Sequence, residues 1–471
     1  MTMKGRMTMD ATPDGALASP SHGLGQSLRS RHVTMITVGG IIGAGLFVGS
    51  SASIASIGPA CVVSYALAGL VILLIMRMLS ELAAAAPGVG SFTEYTRLGL
   101  GDWAGFTSGW LYWYFWVAVV PIEAIGGANI LQTWLPGAPI WLLGLVLLTA
   151  MTAVNLLSAR SFGEFEFWFS SIKVAAIIVF IVIAAGYACG LGAPLHESAI
   201  NLTGRGGFAP HGRLAILSGI ATVIFSFVGA EIVTIAAAEA RESARIIARL
   251  TSTVAIRILL FFVVSIFLIV CIVPWDTIRP GTSPFAVALA HIGIPGAAGM
   301  MKLVVLTAVL SCLNSGIYVT SRVLFGLAAR GEAPQALVTL TANRVPRRAI
   351  LAGAAFGYLA MAASAIFPQG VFSFLVNTSG AIALVNYLLV ALAEWRLRRR
   401  WERMAPSRLV IKMWLFPYLT WVVMAVIVGV LAAMAITPDL RSQFTSSFAV
   451  VLLVLAAFGV VSRRTAQPVK K

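Results

Sequence analysis

The sequence predicts an all-α integral membrane protein of about twelve transmembrane helices. Three features support this. Of 471 residues, 59% are hydrophobic and only 11% are charged, whereas a soluble chain carries about 25% charged residues. The apolar residues gather in runs of about twenty, the length that crosses a hydrocarbon core of about 30 Å. Lysine and arginine accumulate in alternate connections between those runs, as they do on the cytoplasmic side of a membrane protein.

Taken in order, the apolar runs predict helices near 34–57, 59–83, 103–131, 140–158, 165–189, 215–240, 257–275, 301–328, 349–367, 371–395, 414–436 and 444–462. The preceding stretch is polar and rich in Gly, Pro and Ser, the composition of a disordered tail, and shows no cleavable signal pattern. One set of connections holds Arg29, Arg31, Arg160, Arg241, Arg245, Arg249, Arg344, Arg347 and Arg348, then the dense 396–412 loop and the tail. The opposite set holds only Arg205, Arg213, Arg279 and Arg441, with Lys302 at a span edge. Both termini are therefore expected in the cytoplasm. The net charge of +16 reads as a topology signal, with anionic lipid headgroups as partners and no nucleic acid.

Several function classes lack their parts. No G-x-x-x-x-G-K-[ST] loop occurs, so an ATP-driven pump in one chain is not expected. Cys61, Cys189, Cys271 and Cys312 fall in or beside apolar runs without a CxxC pair, and read as packing residues rather than a disulfide framework or zinc site. All five histidines lie outside the spans or at their margins, so no metal, no cofactor and no intramembrane catalysis is expected. A channel would more naturally show a repeated filter or a ring of like charges. Energy must then come from an ion gradient or from the substrate gradient itself.

Two spans are interrupted in a matched way. The first contains Gly39, Gly40, Ile41, Ile42, Gly43, Ala44 and Gly45, and the sixth contains Phe225-Ser226-Phe227-Val228-Gly229-Ala230-Glu231. Glycine lowers helix propensity by about 1 kcal/mol relative to alanine. Glycine-interrupted segments at corresponding places in two halves point to a transporter binding site. A single cluster would read as close helix packing; two of them, five spans apart, favour unwinding. A helix restarting after Gly43 would offer the N–H groups of Gly43, Ala44, Gly45 and Leu46 to a carboxylate. The unwound sixth span would offer carbonyls around Ile224, Phe225 and Val228 to an ammonium. Phe225 reads either as a gate over the bound molecule or as one more packing aromatic.

Ionisable groups inside spans are costly, so each is a functional candidate. Lys173 reads either as a proton-coupling amine standing in for a metal cation or as half of a static ion pair with Glu231 or Glu123. Glu231, directly after the sixth-span break, is expected to tie the broken helices together. Glu123, two residues after Pro121, reads as a proton relay or a structural partner. Glu239 is expected in solvent near a span end.

The string Arg31-His32-Val33-Thr34-Met35 followed by GGIIGAGLFVGS resembles the first span of the amino acid–polyamine–organocation permeases. GWLYWYFWVAVVPIEA, FGEFEFWFSSIKV, FSFVGAEIVTIAAAE, SCLNSGIYVTSRVLFGLAARGEAP and SGAIALVNYL continue the resemblance in order, over about residues 24–464. It implies a five-plus-five inverted repeat with two extra C-terminal helices, divided as a 1–30 tail, a 31–400 core with repeats near 31–190 and 210–400, helices over 401–464, and a 465–471 tail. It implies alternating access, a bacterial inner-membrane location, and substrate held at Ile42, Gly43, Ala44, Gly45, Leu46, Ile224, Phe225, Val228 and Gly229. It places Phe225 as the aromatic gate and matches Lys173 to the lysine that replaces sodium in proton-coupled relatives; Glu123 and Glu231, as ionisable groups inside spans, are further coupling candidates. GSSASIASIGPA, WYFWVAVVPIEA and GAEIVTIAAAE are most similar to the bacterial 4-aminobutyrate (GABA) branch, which implies GABA and protons as the transported partners. The alternatives are an α-amino-acid permease, an exchanger, or a non-transporting nutrient receptor. The stretch Ala240–Arg245 departs from the family in lacking the usual Asn-Pro or Thr-Pro.

Overall fold

The computed structural model describes residues 30–43, 45–87, 89, 91–191, 195–236 and 244–465. Ala44, Glu239 and most of the 240–245 stretch therefore lie outside the described residues, as does the side chain of Phe225. Among the described residues every regular element is helical. In chain order these are α1 (Ser30–Ile41), α2 (Ser50–Ile57), α3 (Cys61–Ala85), α4 (Phe92–Leu100), α5 (Asp102–Gln132), α6 (Ile140–Leu157) and α7 (Ala159–Gly186). There follow α8 (Leu195–Thr203), α9 (Arg213–Ile224), α10 (Ile232–Ala236), α11 (Ala244–Ile272), α12 (Pro284–His291) and α13 (Ala297–Ala329). The chain closes with α14 (Arg347–Ser364), α15 (Pro368–Ser379), α16 (Ile382–Met404), α17 (Tyr418–Ile436) and α18 (Pro438–Thr465).

Nine helices among the described residues are long and apolar enough to cross a membrane. The chain is a multi-pass membrane protein, and α7 displays the reason in its two faces. It exposes Phe165, Trp168, Ile172, Val179 and Val182 while burying Glu166, Ser170 and Lys173. Apolar side chains outward and polar ones inward is the arrangement lipid imposes.

Three boundaries differ from those the apolar runs predict. The fifth span begins at Ala159, because Ser158 caps it by accepting a hydrogen bond from the Ser161 backbone N–H at 2.9 Å. Helix α11 begins at Ala244, so Arg245 and Arg249 belong to a helix rather than a loop. The run at 371–395 is two helices, α15 and α16. They part at Gly380, where the Ala381 N–H donates to the Ser447 hydroxyl of α18 at 3.1 Å. That hydroxyl lies in turn 3.2 Å from the Asn377 and Thr378 carbonyls, so α18 satisfies backbone groups that the break releases.

The packing places the broken segments at the centre. Helix α5 runs along α13 and α3 along α11, while α1 is held among α7, α10, α11 and α13. Val33 and Ile36 of α1 share one buried apolar cluster with Leu46, Phe47, Ile224, Phe227 and Ile232. Both interruptions are thus buried in protein, the condition under which irregular backbone is tolerated at membrane depth.

Candidate functional site

The first span unwinds between Ile41 and Gly45, continues as a π-helical turn over Gly45–Gly49, and then becomes α2. The sixth unwinds between a 3-10 turn at Phe225–Phe227 and α10. The glycines serve both the break and the approach. Gly229 has φ +114°, a conformation side chains rarely adopt, and a Cβ there would lie 2.2 Å from the Gly40 carbonyl oxygen. The two interrupted spans therefore touch backbone to backbone. Gly45 meets the other side of the same junction, where a Cβ would lie 3.1 Å from the Ser226 hydroxyl.

A small cavity opens beside this junction. Gly40, Ile41, Gly43, Gly45, Ser226 and Val228 supply its backbone-rich wall. Phe115, Trp116, Val119, Glu123 and Cys312 supply the opposite one. Glu123 is the sole carboxylate on this wall. Its Oε2 is buried without a protein hydrogen-bond partner.

Among the residues singled out from sequence, Gly43, Gly45, Val228 and Glu123 lie on the cavity wall, while Ile42, Leu46, Ile224 and Gly229 lie outside the lining. Gly229 acts one step back, by admitting Gly40. The Gly43 N–H is engaged by the Ile41 carbonyl at 3.0 Å. Glu231 accepts from the Tyr387 hydroxyl of α16 at 2.8 Å and from the Gly229 N–H at 3.2 Å. It braces the sixth-span break against α16, and its hydrogen bonds do not reach α1.

Lys173 has the most complete set of partners. Its ammonium, fully buried, donates to the carbonyls of Gly39 at 2.8 Å and Ile42 at 2.9 Å and to the Ser311 hydroxyl at 2.8 Å. An ammonium has three N–H donors, and all three are used. Neither Glu231 nor Glu123 is among its partners, so the contact ion pair that the sequence allows does not form. Ser311 donates onward to Glu166 Oε1. Glu166 is 0% exposed and is also approached by Ser170 Oγ at 3.2 Å and Asn314 Nδ2 at 3.4 Å.

Glu166, Ser311, Asn314, Ser226, Trp116 and the cavity-facing role of Cys312 escaped sequence reasoning. For Glu166 a signal existed: it precedes Lys173 by seven residues, which places both on one helix face.

A second tie holds α1 to α7 at its other end. Arg31 Nη2 pairs with Glu164 Oε1 at 2.8 Å, His32 Nε2 lies 3.2 Å from the same oxygen, and the Arg31 guanidinium sits 5.3 Å from the Phe167 ring centre. Between the two ends, Ser170 Oγ donates to the Met35 carbonyl at 2.8 Å. Among the described residues no group of three or more His, Cys, Asp or Glu side chains could hold a metal ion. The site offers a small cavity walled by the interrupted spans, a carboxylate on its wall and a buried amine beside it.

The amino acid permease family profile matches residues 32–469. The chain is 48% identical over 444 residues to the gamma-aminobutyric acid permease of Bacillus subtilis (strain 168), covering 94% of each chain. It is 46% identical to a probable GABA permease of Pseudomonas aeruginosa, covering 92% of this chain and 91% of the relative. An aromatic amino acid transport protein of Corynebacterium glutamicum is 37% identical, over 95% of this chain and 96% of its own.

Proposed function

The chain belongs to the amino acid permease family, and from that premise we propose that it imports GABA, or a closely related amino acid, by proton symport with alternating access. In this reading the protein crosses the bacterial inner membrane about twelve times with both termini in the cytoplasm. Residues 31–190 and 210–400 form an inverted pair of five-helix repeats, and 401–464 adds two helices.

The observation that carries the coupling is the Lys173 ammonium on the carbonyls of Gly39 and Ile42. Carbonyl oxygens at an unwound helix end are what a bound sodium ion would require; here a covalently attached cation meets them. Loss of its proton removes the charge and one donor, weakening two charge-assisted bonds and loosening α1 from α7. Protonation of Lys173 is thereby linked to the position of a segment that also lines the cavity. Glu123, on the cavity wall with an unmatched oxygen, receives the substrate ammonium or the coupling proton. Glu231 keeps the sixth-span break in register. The substrate carboxylate meets the N–H groups around Gly45, and Phe225 closes over the substrate.

GABA is favoured by the relatives whose names carry it. An α-amino acid is the second reading, favoured by the aromatic amino acid transport protein. Uptake of labelled GABA into proteoliposomes, with and without an inward proton gradient, tests both halves. Gradient-dependent accumulation that excess α-amino acid does not suppress is expected. Accumulation of an α-amino acid instead would replace the substrate, and GABA uptake indifferent to the gradient would remove proton symport.

A further inference from the structure

Glu166 lies outside the cavity lining, yet it is buried within one hydroxyl of Lys173. We propose that Glu166 is the proton partner of Lys173, reached through Ser311, so that the coupling unit is a carboxylate–hydroxyl–amine relay rather than the lysine alone. This rests on the proton-symport reading.

The geometry orients the relay. Lys173 Nζ donates to Ser311 Oγ at 2.8 Å, which occupies a lone pair and leaves the single hydroxyl hydrogen for Glu166 Oε1. The other carboxylate oxygen faces Asn314 Nδ2 at 3.4 Å. The Asn314 amide is held in that sense by Asn155, whose Nδ2 donates to Asn314 Oδ1 at 2.8 Å. Space for the carboxylate against α1 is made by Gly39, where a Cβ would lie 2.0 Å from Glu166 Oε1. One glycine thus provides the carbonyl that holds Lys173 and the room that admits Glu166.

The proton step balances without an outside reactant. A Lys173 N–H bond breaks as its proton passes to Ser311 Oγ, and the Ser311 O–H bond breaks as its proton passes to Glu166 Oε1. The products are a neutral amine, a re-formed hydroxyl and a neutral carboxyl, with no change in net charge. In a low-dielectric interior separated charges are expensive and the neutral pair is accessible. Moving the proton to Glu166 leaves the amine two N–H donors and no charge, so its bonds to Gly39 and Ile42 weaken while the proton stays inside the protein. Proton entry and α1 release then become separate events joined by one hydroxyl.

The other titratable groups acting on Lys173 are Glu123 of α5 and Cys312 of α13. Besides Lys173, Cys312 is the titratable neighbour acting on Glu166. From α1, its unwound end and α6 the centre receives the Met35, Gly39 and Ile42 carbonyls and the Asn155 amide.

The test uses the full chain in proteoliposomes with labelled GABA, comparing accumulation under an inward proton gradient with gradient-free GABA exchange across a pH series. Ser311→Ala cuts the relay and keeps both ionisable groups. It is expected to lower gradient-driven accumulation about tenfold or more, to reduce exchange less, and to displace the pH profile. Ser311→Thr, which restores the hydroxyl, is expected to recover both, and Glu166→Gln to follow Ser311→Ala. Glu166→Gln keeps the carboxylate's shape, so it still reports if the alanine variant fails to fold.

Ser311→Ala or Glu166→Gln with parental accumulation and pH profile would overturn the relay. So would Ser311→Thr as impaired as Ser311→Ala, which would make the position a packing requirement. Absence of gradient-driven accumulation in the parent protein would instead remove the symport reading on which the relay rests.

Discussion

Two charged centres hold helix α13 to the rest of the molecule, and they are built on opposite plans. At its middle, Ser311 stands between the Lys173 ammonium and the Glu166 carboxylate, so the opposite charges meet through a hydroxyl and through backbone carbonyls. Just beyond its end, the charges touch. Arg97 Nη2 of α4 donates to both oxygens of Glu332 at 2.7 and 2.9 Å and Nη1 reaches Asp102 at 2.9 Å, while Arg330 pairs with Glu94. The α4 centre lies between 12 and 15% exposed at Arg97, Glu94 and Glu332, whereas Lys173 and Glu166 are at 0%. Contact ion pairs hold two elements in one geometry whatever the substrate does. A cation on carbonyls keeps its position only while it keeps its charge. The first design suits a clamp and the second a part that must let go.

The largest expected effect comes from removing the releasable cation. Lys173→Ala leaves the Gly39 and Ile42 carbonyls without their donor and removes the coupling group. Gradient-driven GABA uptake is expected to stop at the equilibrium level, with substrate binding less affected. Measured by uptake and by binding to detergent-solubilised protein, retained uphill accumulation would sink the role assigned to this amine.

The clamp should fail differently, through stability rather than coupling. Arg97→Ala strands Glu332, whose two oxygens it holds, while Glu94 keeps Arg330, and breaking a largely buried pair in this way costs up to about 3–5 kcal/mol. The expected readout is a lowered thermal midpoint in detergent, with surviving protein still gradient-dependent. Burial raises the Glu332 carboxyl above its ordinary value of 4.5, and the Arg97 charge opposes that rise. Without Arg97 the carboxyl moves further up. A raised carboxyl contributes its stability in the protonated form and loses it as pH rises through the folded value. The variant's deficit should therefore shrink on acidification toward the ordinary carboxylate range and be fullest at neutral pH. A deficit that grows as pH falls would contradict the assignment of Glu332 as the burdened partner.

The difference between the two centres also explains what could be read from sequence. The interrupted spans were legible because Gly39, Gly40, Gly43 and Gly45 in one and Gly229 in the other are too many weak helix formers for an apolar run. Lys173 was legible as a lone cation in such a run. Glu166 was not, because the apolar run starts at about residue 165 and leaves it at an apparent span edge, although the Ser158 cap begins the helix at Ala159. The α15–α16 break was hidden for a related reason. Gly380 alone is a weak signal, and the Ser447 hydroxyl that satisfies the parted backbone comes from α18, 66 residues along the chain from Ala381. Which charges meet each other depends on helices distant in sequence, so neither Lys173 with Ser311 nor Arg97 with Glu332 can be paired by periodicity.

The smallest expected effect sharpens the comparison from outside it. Arg205 and Asp276 form a contact pair at 2.8 Å, like those of the α4 centre, but their side chains are 44 and 42% exposed. Water screens such a pair and side-chain entropy opposes it, so exposed pairs contribute about 0–1 kcal/mol. Arg205 also accepts a hydrogen bond at its backbone carbonyl from Trp275 Nε1 at 3.2 Å, an interaction that does not depend on its side chain. Arg205→Ala is therefore expected to leave the thermal midpoint nearly unchanged and GABA accumulation at the parental level, and added salt should erase any difference that remains. A loss comparable to that of Arg97→Ala would mean that contact alone, rather than contact with burial, makes an ion pair into a clamp, and the distinction between the two centres would then have to rest on the hydroxyl at Ser311.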